Sequence, residues 1–523
     1  MTRLFLLTLG ALAIASASGA QTPDVARLKV EASEAIDASA VRLGRLSDAI
    51  FSYAEVGFEE HKTVALITAE LEKHGFTVER GVADMPTAFK ATAGHGSPVI
   101  GLMADFDCVP DASQKPGVTA RAEIVPGAPG HGEGHNAGLP TIIGPAIAVK
   151  DLLARYNLPG TVVVFGGPAE ELLASRVYMV NAGLFKGVDA MFDAHIGTTL
   201  GTSWGLRNLG IASIEWTFKG EAAHGARPWN GRSALDGVEA MNFGMNLLRE
   251  HLPLEMRFHY VTSYGGDQPN VVPPEARVWY YFRHTSYDAL MALVEKARVV
   301  AKAAAAMTFT TVDERILSGS WPYNGNKALS EVLDRNIQAV GMPAWSAADQ
   351  AFAAAFQKAM GAPATGLATK PGENRGDGQG ASSTDAGDVT WNVPMVRMSF
   401  PSQIAGATTH HWTAAIAPAT PIAHKGIVTG AKALTATLID LFLVPSNLEM
   451  IKADFARQMN GVTWKSIVPP GATPPTHLNK ELMAKYRPLL EPYYFDPDSP
   501  RTYMEQLGVA YPPATGSSAA PAR

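Results

Sequence analysis

The sequence predicts an α/β protein with a mixed, mostly parallel sheet, and two observations indicate this fold class. Apolar residues recur at helical spacing over 136–156, between two short apolar runs. The apolar runs typical of buried strands are PVIGLMA (98–104), TVVVFG (161–166) and DAMFDA (189–194). Strands that alternate with helices form parallel βαβ units, whose strands are buried on both faces and therefore carry continuous apolar runs.

The pattern changes near Gly205, where an inserted unit is predicted. Strict alternation at 211–220 indicates a half-buried strand. The elements predicted after it are a helix at 232–250, strands at 256–262 and 276–283, and a helix at 286–306. This β-α-β-β-α order predicts a small α+β two-layer domain.

The large-domain pattern resumes after the insert. Helices are predicted at 327–340, 346–360 and 423–443, and a strand at 393–400. The predicted boundaries are 1–20 for a leader, 21–206 and 321–445 for the two parts of the large domain, 207–320 for the insert and 446–523 for a C-terminal extension. The extension is rich in proline, which predicts an irregular surface segment whose last ten residues are disordered.

Length, charge and cysteine content exclude several classes of protein. A chain of 523 residues is too long for one ordinary core and requires more than one domain. The net charge of −6 argues against a nucleic-acid-binding protein, and the hydrophobic content of 46% argues against a disordered one. The single cysteine, Cys108, cannot form an internal disulfide.

Residues 1–20 have the pattern of a secretory signal peptide. Arg3 precedes an apolar run from Leu4 to Ala15, and small residues continue to Ala20, where cleavage is predicted. The run is shorter than the roughly 20 residues that span a bilayer, and no later stretch is expected to span one. We therefore expect a soluble, periplasmic or secreted protein with no membrane partner.

Acidic and imidazole side chains follow three of the predicted strands. Ligands of open α/β sheets bind beyond the carboxyl ends of the strands, so these positions are expected to converge. They are Asp105 and Asp107, Glu170 and Glu171, and His195, together with the glycine-rich turn GHGEGHN at 130–136. Buried carboxylates repel one another unless a cation lies between them, which predicts a divalent metal site. Each feature taken singly also has an alternative interpretation. His195 could be a core histidine, and the adjacent glutamates could form the solvated start of a helix. The glycine-rich turn could bind phosphate, although it matches neither glycine-rich phosphate-binding pattern.

A serine-hydrolase motif, GxSxG, occurs at 201–205. The nucleophile elbow that this motif describes needs a strand, then the serine, then a helix. Residues 206–217 are strand-like instead, so we interpret Ser203 as non-catalytic.

Several segments together resemble the M20 metallopeptidase superfamily and, within it, its amidohydrolase branch. They follow the family's order, and the similarity extends from about residue 36 to 470. The segments are DFDCVPDASQK (105–115), GHGEGHN (130–136), PAEE (168–171), the strand end at His195, KGEAAHGARPWNGRSALD (219–236) and SSTDAGDVTW (382–391). The resemblance implies a dimetal, exopeptidase-like catalytic domain interrupted by a lid domain that also forms the dimer interface.

The resemblance also implies roles for individual residues. Glu170 matches the catalytic base, and His224 in the lid matches a histidine that reaches the active site of the other subunit. Asn270 matches a substrate-contacting asparagine. The residues that match metal ligands are His135, Glu171, His195 and His410, with His411 the weaker choice for the last position, and Glu133 is a further expected ligand.

One position departs from the pattern of the amidohydrolase branch. That branch usually has a metal-bridging cysteine where this chain has Glu133. A carboxylate is a harder ligand than a thiolate, which favours manganese or cobalt over zinc. The other matched ligands are intact, so we expect two divalent metal ions per subunit, with loss of the metal pair as the alternative.

The function that the resemblance implies is hydrolysis of a C–N bond by metal-activated water. The substrate is expected to be the amide of an N-acyl or N-aroyl amino acid, of the aminobenzoyl-glutamate type. The alternatives are a dipeptidase or carboxypeptidase of the same superfamily and a non-catalytic periplasmic binding protein. The expected partner is a second copy of the chain, bound through the lid, and no nucleic acid.

Four further residues are left with two interpretations each. Arg283 and Arg227 are candidates for binding a substrate carboxylate, with surface salt bridges as the alternative. Asp385 and Asp388, like Asp105 and Asp107, either orient ligand histidines or form turns.

Overall fold

The structure is a computed structural model that describes residues 24–378 and 380–512. The predicted leader and the last ten residues lie outside this part of the chain. Export through the leader and disorder of the C-terminus therefore stay predictions.

Helices and strands alternate through most of the described chain. The helices are α1 (Val25–Tyr53), α2 (His61–Lys73), α3 (Gly138–Arg155), α4 (Arg176–Asn181), α5 (Ala234–Leu248), α6 (Tyr287–Thr308), α7 (Lys327–Val340), α8 (Ala347–Ala359), α9 (Gly387–Thr390), α10 (Pro421–Leu443), α11 (Pro445–Gln458), α12 (Lys480–Leu490) and α13 (Tyr503–Gln506). The strands are β1 (Thr77–Arg80), β2 (Phe89–His95), β3 (Val99–Ala104), β4 (Gly160–Gly166), β5 (Ala190–Gly197), β6 (Gly201–Ser203), β7 (Gly205–Leu206), β8 (Gly210–Lys219), β9 (Arg257–Tyr264), β10 (Glu275–His284), β11 (Thr311–Ser320), β12 (Asn324–Gly325) and β13 (Met395–Pro401).

The large domain is built on a seven-stranded mixed sheet in the order β1-β2-β4-β3-β5-β13-β6. The four central strands, β4, β3, β5 and β13, run parallel to one another. The outer strands β2 and β6 join them antiparallel. The predicted α/β class with a mixed sheet is confirmed, and the parallel pairing is concentrated at its centre, where the predicted apolar runs lie.

Both faces of this sheet are buried, which explains why its central strands are continuously apolar. In β4, Val162 and Val164 belong to the core on one face, and Val163 and Phe165 belong to the core on the other. Helices α1, α3, α7 and α10 cover the first face, and the short helices α4 and α9 lie on the second. Because side chains alternate along a strand, a strand between two such layers has no polar side.

The insert folds as a four-stranded antiparallel sheet in the order β11-β8-β10-β9. Ile214, Trp216 and Phe218 of β8 point to a core that α5 and α6 complete. The predicted β-α-β-β-α order is present and is followed by β11, which the sequence did not reveal. This strand lies at an edge and begins with mostly polar, exposed residues, so it lacks the apolar pattern of a half-buried strand.

Two helices correct the expectation that no later stretch could span a membrane. The segments His135–Arg155 and Pro421–Leu443 are long and apolar enough by length and composition. Each is 78% buried inside the protein. They form the central helical layer on the sheet, and a helix that is apolar all round is what such a layer requires.

The C-terminal extension is not the irregular segment that its proline content predicted. It contains α11, α12 and α13, and it buries Ile451, Met483, Tyr486 and Leu490. Met483, Tyr486 and Leu490 recur at helical spacing. This spacing indicates a helix, but the prediction of an irregular segment was based on the proline content alone. Pro445 stands in the first turn of α11, where a residue without an N–H is tolerated.

Candidate metal and catalytic site

Three neighbouring parallel strands bring the predicted polar residues to one edge of the large sheet. Strands β4, β3 and β5 lie side by side. Asp105 follows β3, Glu170 and Glu171 follow β4, and His195 lies near the end of β5. Parallel strands end at the same edge, so these side chains meet there.

The glycine-rich turn brings His135 to the same edge. Gly134 has a φ of 74°, a left-handed conformation that glycine adopts without strain, and it directs the chain into a short helical turn at His135. His135 is only 2% exposed, and its Nε2 lies 3.3 Å from Nε2 of His195.

Two overlapping groups of potential ligand atoms share His135. Within each group all the atoms lie within 4.8 Å of one another. The groups are Asp105, His135 and His195, and His135, Glu170 and Glu171. Such a cluster of imidazoles and carboxylates has the geometry expected for divalent cations.

His410 approaches the site from a loop late in the chain. Its Nε2 lies 3.2 Å from Glu133 Oε1 and 3.3 Å from Glu171 Oε2. Its backbone N–H donates to the carbonyl of Gly132, and its φ is 53°, a strained conformation for a residue with a side chain. His411 contacts Thr413 Oγ1 instead, at 3.0 Å. Of the two adjacent histidines, the structure brings His410 to the predicted ligands.

Several buried polar atoms at this edge have no hydrogen-bond partner among the described residues. They are Asp105 Oδ2, Asp107 Oδ1, His135 Nδ1 and Glu171 Oε1. His135 Nδ1 lies 3.5 Å from Asp107 Oδ1 and 3.7 Å from Glu171 Oε1. Buried polar atoms are normally paired, and nitrogen and oxygen donors of this kind suit divalent first-row metals. The residues present therefore fit divalent metal ions.

Burial and charge give two residues of the site unusual proton affinities. Glu170 is 8% exposed, and burial together with the carboxylates of Asp105 and Asp385 raises its pKa to about 8. Burial, assisted by the positive charge of Arg397, lowers the pKa of His195 to about 3. His195 is therefore neutral, as a metal ligand must be, and Glu170 titrates in the range suited to proton transfer near neutral pH.

A buried arginine, Arg176, and a half-buried one, Arg397, hold the carboxylates behind the site. Arg176 is fully buried and pairs with Asp105 and with Asp385, whose Oδ1 lies 3.0 Å from Arg176 Nη1. Arg397 pairs with Asp193 in the same way. Burial alone would raise the pKa of Asp105, but Arg176 and the neighbouring cations outweigh it and lower the pKa to about 2. Asp105 is therefore a fixed negative charge beside Glu170.

Arg176, Asp193 and Arg397 are not among the site residues predicted from the sequence. The sequence does contain an indication of Asp193 and Arg397. Asp193 and Arg397 are charged residues inside apolar strand runs, and a buried charge requires a partner of opposite sign.

The predicted site residues of the insert lie apart from this cluster within the described chain. His224 and Asn270 are both exposed, and they are neighbours, since the N–H of Gly225 donates to the carbonyl of Asn270. No hydrogen bond or ion pair joins either side chain to the cluster in the part of the chain that the structure describes. Arg283 is half-buried on β10, whereas Arg227 is exposed.

The GxSxG segment does not form a nucleophile elbow. Ser203 lies within β6 and pairs with Arg397 of β13, and the chain then continues through β7 into β8. No helix follows the serine, so its interpretation as non-catalytic agrees with the fold.

Comparison with known proteins gives consistent matches. The family model described as Peptidase dimerisation domain matches residues 206–307. The chain is 33% identical to one of the subunits of p-aminobenzoyl-glutamate hydrolase from Escherichia coli (strain K12), over 84% of this chain and 97% of the relative. It is 28% identical to Xaa-Arg dipeptidase of Mus musculus, over 82% of this chain and 92% of the relative.

A solved structure supports the fold. It is a dinuclear metal binding peptidase from the M20 family of Bacillus subtilis, which matches with a TM-score of 0.50 at 19% identity and covers 78% of this chain and 99% of its own. The predicted family and fold class are confirmed. The identity to the Escherichia coli hydrolase, over almost its whole length, shows that the chain belongs to the M20 family of metal-dependent hydrolases of amide and peptide bonds.

Proposed function

We propose that the protein hydrolyses the amide bond of an N-acyl or N-aroyl amino acid, with aminobenzoyl-glutamate as the type of substrate. The observation that carries the proposal is the buried Glu170 carboxyl, grouped with His135 and Glu171 among atoms that fit a metal. The identity to the p-aminobenzoyl-glutamate hydrolase of Escherichia coli supports the substrate type. A binding protein without catalysis has no use for a carboxyl that titrates near neutral pH beside metal ligands.

Two divalent metal ions per subunit are part of the proposal. Their ligands would be Glu133, His135, Glu171, His195 and His410. When bound, such ions polarise the amide carbonyl and increase the acidity of water. The carboxylate of Glu133, which stands where relatives of the branch have a thiolate, favours manganese or cobalt over zinc.

Glu170 is the proton carrier in this proposal. Its carboxylate accepts a proton from the attacking water, and the resulting carboxylic acid donates that proton to the leaving amine nitrogen. Burial and the carboxylates of Asp105 and Asp385 raise the pKa of Glu170, which makes its carboxylate a stronger proton acceptor. The negative charge of Asp105 favours the protonated form of Glu170 and so promotes proton transfer from the water.

Metal removal is expected to abolish hydrolysis. Purified protein should contain about two divalent ions per chain, and dialysis against a chelator should stop the cleavage of aminobenzoyl-glutamate. Manganese or cobalt should then restore more activity than zinc. Full activity of the metal-free protein would contradict the proposal. Faster cleavage of dipeptides that end in arginine would instead assign the substrate class of the Mus musculus relative.

Arg283 is proposed to bind the carboxylate of the substrate. Its Nη1 lies 3.4 Å from Ser383 Oγ, and its Nε has no hydrogen-bond partner among the described residues. Ser383 belongs to the large domain and Arg283 to β10 of the insert, so this guanidinium lies where the two domains meet. A half-buried guanidinium with a free donor is suited to a carboxylate ligand.

Replacing Arg283 by Met is expected to raise KM by roughly 10- to 100-fold, which corresponds to about 1.5–3 kcal/mol for hydrogen bonds to a charged group. Steady-state kinetics on the acid and on its neutral carboxamide analogue measure this. The variant and the wild type should hydrolyse the carboxamide equally, and Arg227→Met should change neither substrate. An equal loss on both substrates would contradict the assignment.

A homodimer through the insert is also proposed. Phe243 and Leu247 of α5 and Val299 and Met307 of α6 are exposed, and the two helices pack side by side. Such apolar surface on a dimerisation domain marks a contact face. In the dimer, His224 of the partner subunit would stabilise the negative charge on the substrate carbonyl oxygen, with Asn270 of the partner subunit contacting the substrate.

Phe243→Asp is expected to convert the dimer into a monomer, because a charge cannot be buried in the apolar contact without a partner. Light scattering after size exclusion measures the mass, and Val41→Asp, at an exposed apolar position on α1, is the matched control. Co-expressed Glu170→Gln and His224→Ala subunits should regain one working site in each mixed dimer. No regained activity would contradict the role of His224, and a hetero-oligomer with another chain would contradict the homodimer.

A further inference from the structure

The turn that carries Glu170 has a strained backbone. Ala169 and Leu173 have φ values of 55° and 54°, in the left-handed region that residues with side chains avoid. The N–H of Ala174 donates to the carbonyl of Ala169 at 3.1 Å. Strained conformations of this kind persist only where the surrounding structure holds them, so the contacts of Ala169 decide where Glu170 points.

Glu60 makes the contact that holds Ala169. Its side chain is fully buried, and its Oε1 accepts the N–H of Ala169 at 2.8 Å. Its Oε2 accepts the hydroxyl of Thr87, also at 2.8 Å. Both carboxyl oxygens are therefore used, and one of them fixes the peptide group between Pro168 and Ala169, one residue before Glu170. Burial, together with the carboxylate of Asp107, raises the pKa of Glu60.

The loop that ends in Glu60 also packs tightly on the same turn. A Cβ added to Gly57 would lie 2.8 Å from the Cα of Ala169, closer than such atoms approach. The loop and the turn therefore fit only because residue 57 is glycine. A displacement of the loop has to displace the turn as well.

The C-terminal extension clamps this loop from the other side. Arg487 of α12 donates to Glu55 Oε1 at 2.6 Å and to the carbonyl of Glu59 at 2.8 Å. Asn479 donates to the carbonyl of Gly57 at 3.1 Å. Both residues of this clamp, Arg487 and Asn479, belong to the C-terminal extension.

We propose that Glu60 is a positioning residue that aims Glu170 through the backbone of Ala169, and that α12 supports this through Arg487. The proposal rests on the proposed role of Glu170 as the base. Glu171, on the next position, is held separately, because its N–H donates to Asp107 Oδ2 at 3.0 Å. Loss of Glu60 therefore affects proton transfer more than metal binding.

The test compares Glu60→Met with Glu60→Gln in the full chain. Met fills the same space without an acceptor, and a misplacement of the base on the order of 1 Å is expected to lower kcat by about 100-fold. KM and metal content should stay within about twofold of wild type. Gln keeps an acceptor for Ala169 N–H and a partner for Thr87, so its kcat should stay near wild type.

Several outcomes would overturn the role of Glu60. An unchanged kcat in Glu60→Met would overturn the role. A loss of kcat in Glu60→Gln as large as that in Glu60→Met would also overturn it, because the charge of residue 60 rather than its hydrogen bonds would then matter. Loss of metal in parallel with kcat would also do so. If Glu60→Met does not fold, Glu60→Asp takes its place, because its shorter side chain cannot reach both partners. It is likewise expected to lower kcat and to leave KM unchanged.

Arg487→Met tests the support from the extension. It should lower kcat with unchanged KM and metal content, and it should add little to the loss caused by Glu60→Met, because both act through one loop. Lys485→Met, on the same helix, is the matched control and should leave kcat unchanged. Additive losses would overturn the coupling. Full activity of Glu170→Gln would refute the proposed function instead, whatever the Glu60 variants show.

Discussion

Glu170→Gln is expected to lower kcat by about 10²- to 10⁴-fold, the usual contribution of a general acid–base group. The substitution keeps the size and the hydrogen-bonding capacity of the side chain but removes its ability to take and return a proton. KM should change little, since Arg283 and the metals, rather than Glu170, are proposed to bind the substrate. Steady-state kinetics and metal analysis of the same preparation measure both quantities.

The adjacent variant Glu171→Gln is the control for this result. Glu171 Oε2 lies 3.3 Å from His410 Nε2, and its Oε1 has no hydrogen-bond partner among the described residues. We therefore expect Glu171→Gln to lose metal as well as activity. Glu170→Gln with wild-type turnover would refute its role as the base, and so would a loss of metal as large as that of Glu171→Gln.

Arg176→Met is expected to destabilise the protein by about 3–5 kcal/mol, the cost of removing one partner from a buried ion pair. Arg176 is fully buried, and its guanidinium pairs with Asp105 and Asp385, which are also buried. Met fills a similar volume, so the effect isolates the loss of charge. Urea unfolding followed by tryptophan fluorescence measures the change in the free energy of unfolding.

A surface arginine provides the comparison. Arg80 pairs with Glu72 at 2.8 Å, but both side chains are largely exposed, and water screens their interaction. We expect Arg80→Met to leave the unfolding midpoint unchanged. If Arg176→Met is as stable as Arg80→Met, the buried pairs do not stabilise the fold, and their role is confined to setting the charge beside Glu170.

The fold class could be predicted because the local pattern and the tertiary environment agree in the central strands. The runs at 98–104 and 161–166 are apolar on both faces, and both faces of β3 and β4 are indeed covered. The convergence of Asp105, Glu170 and His195 followed from the same argument, since three parallel strands end at one edge. The roles of Glu170 and His195 came from the family resemblance and stay predictions.

Segments whose neighbours are distant in sequence were predicted less well. The C-terminal extension was expected to be irregular, yet α11 and α12 are helices that bury Ile451 and Met483. Helices α3 and α10 have the length and hydropathy of membrane spans, and only their packing on the sheet shows that they are core helices. Propensity and composition do not specify which surface a segment meets.

The sequence by itself determined the alternation of strands and helices, the insert and the set of polar residues at the strand ends, because each depends on residues close together in the chain. Only the tertiary structure brings His410, which the family resemblance had favoured over His411, to Glu133. It also decided that Arg176 pairs with Asp105 and that Glu60 holds Ala169. These pairs are formed by residues far apart in the chain or by side chains whose direction depends on the backbone, so no local pattern encodes them.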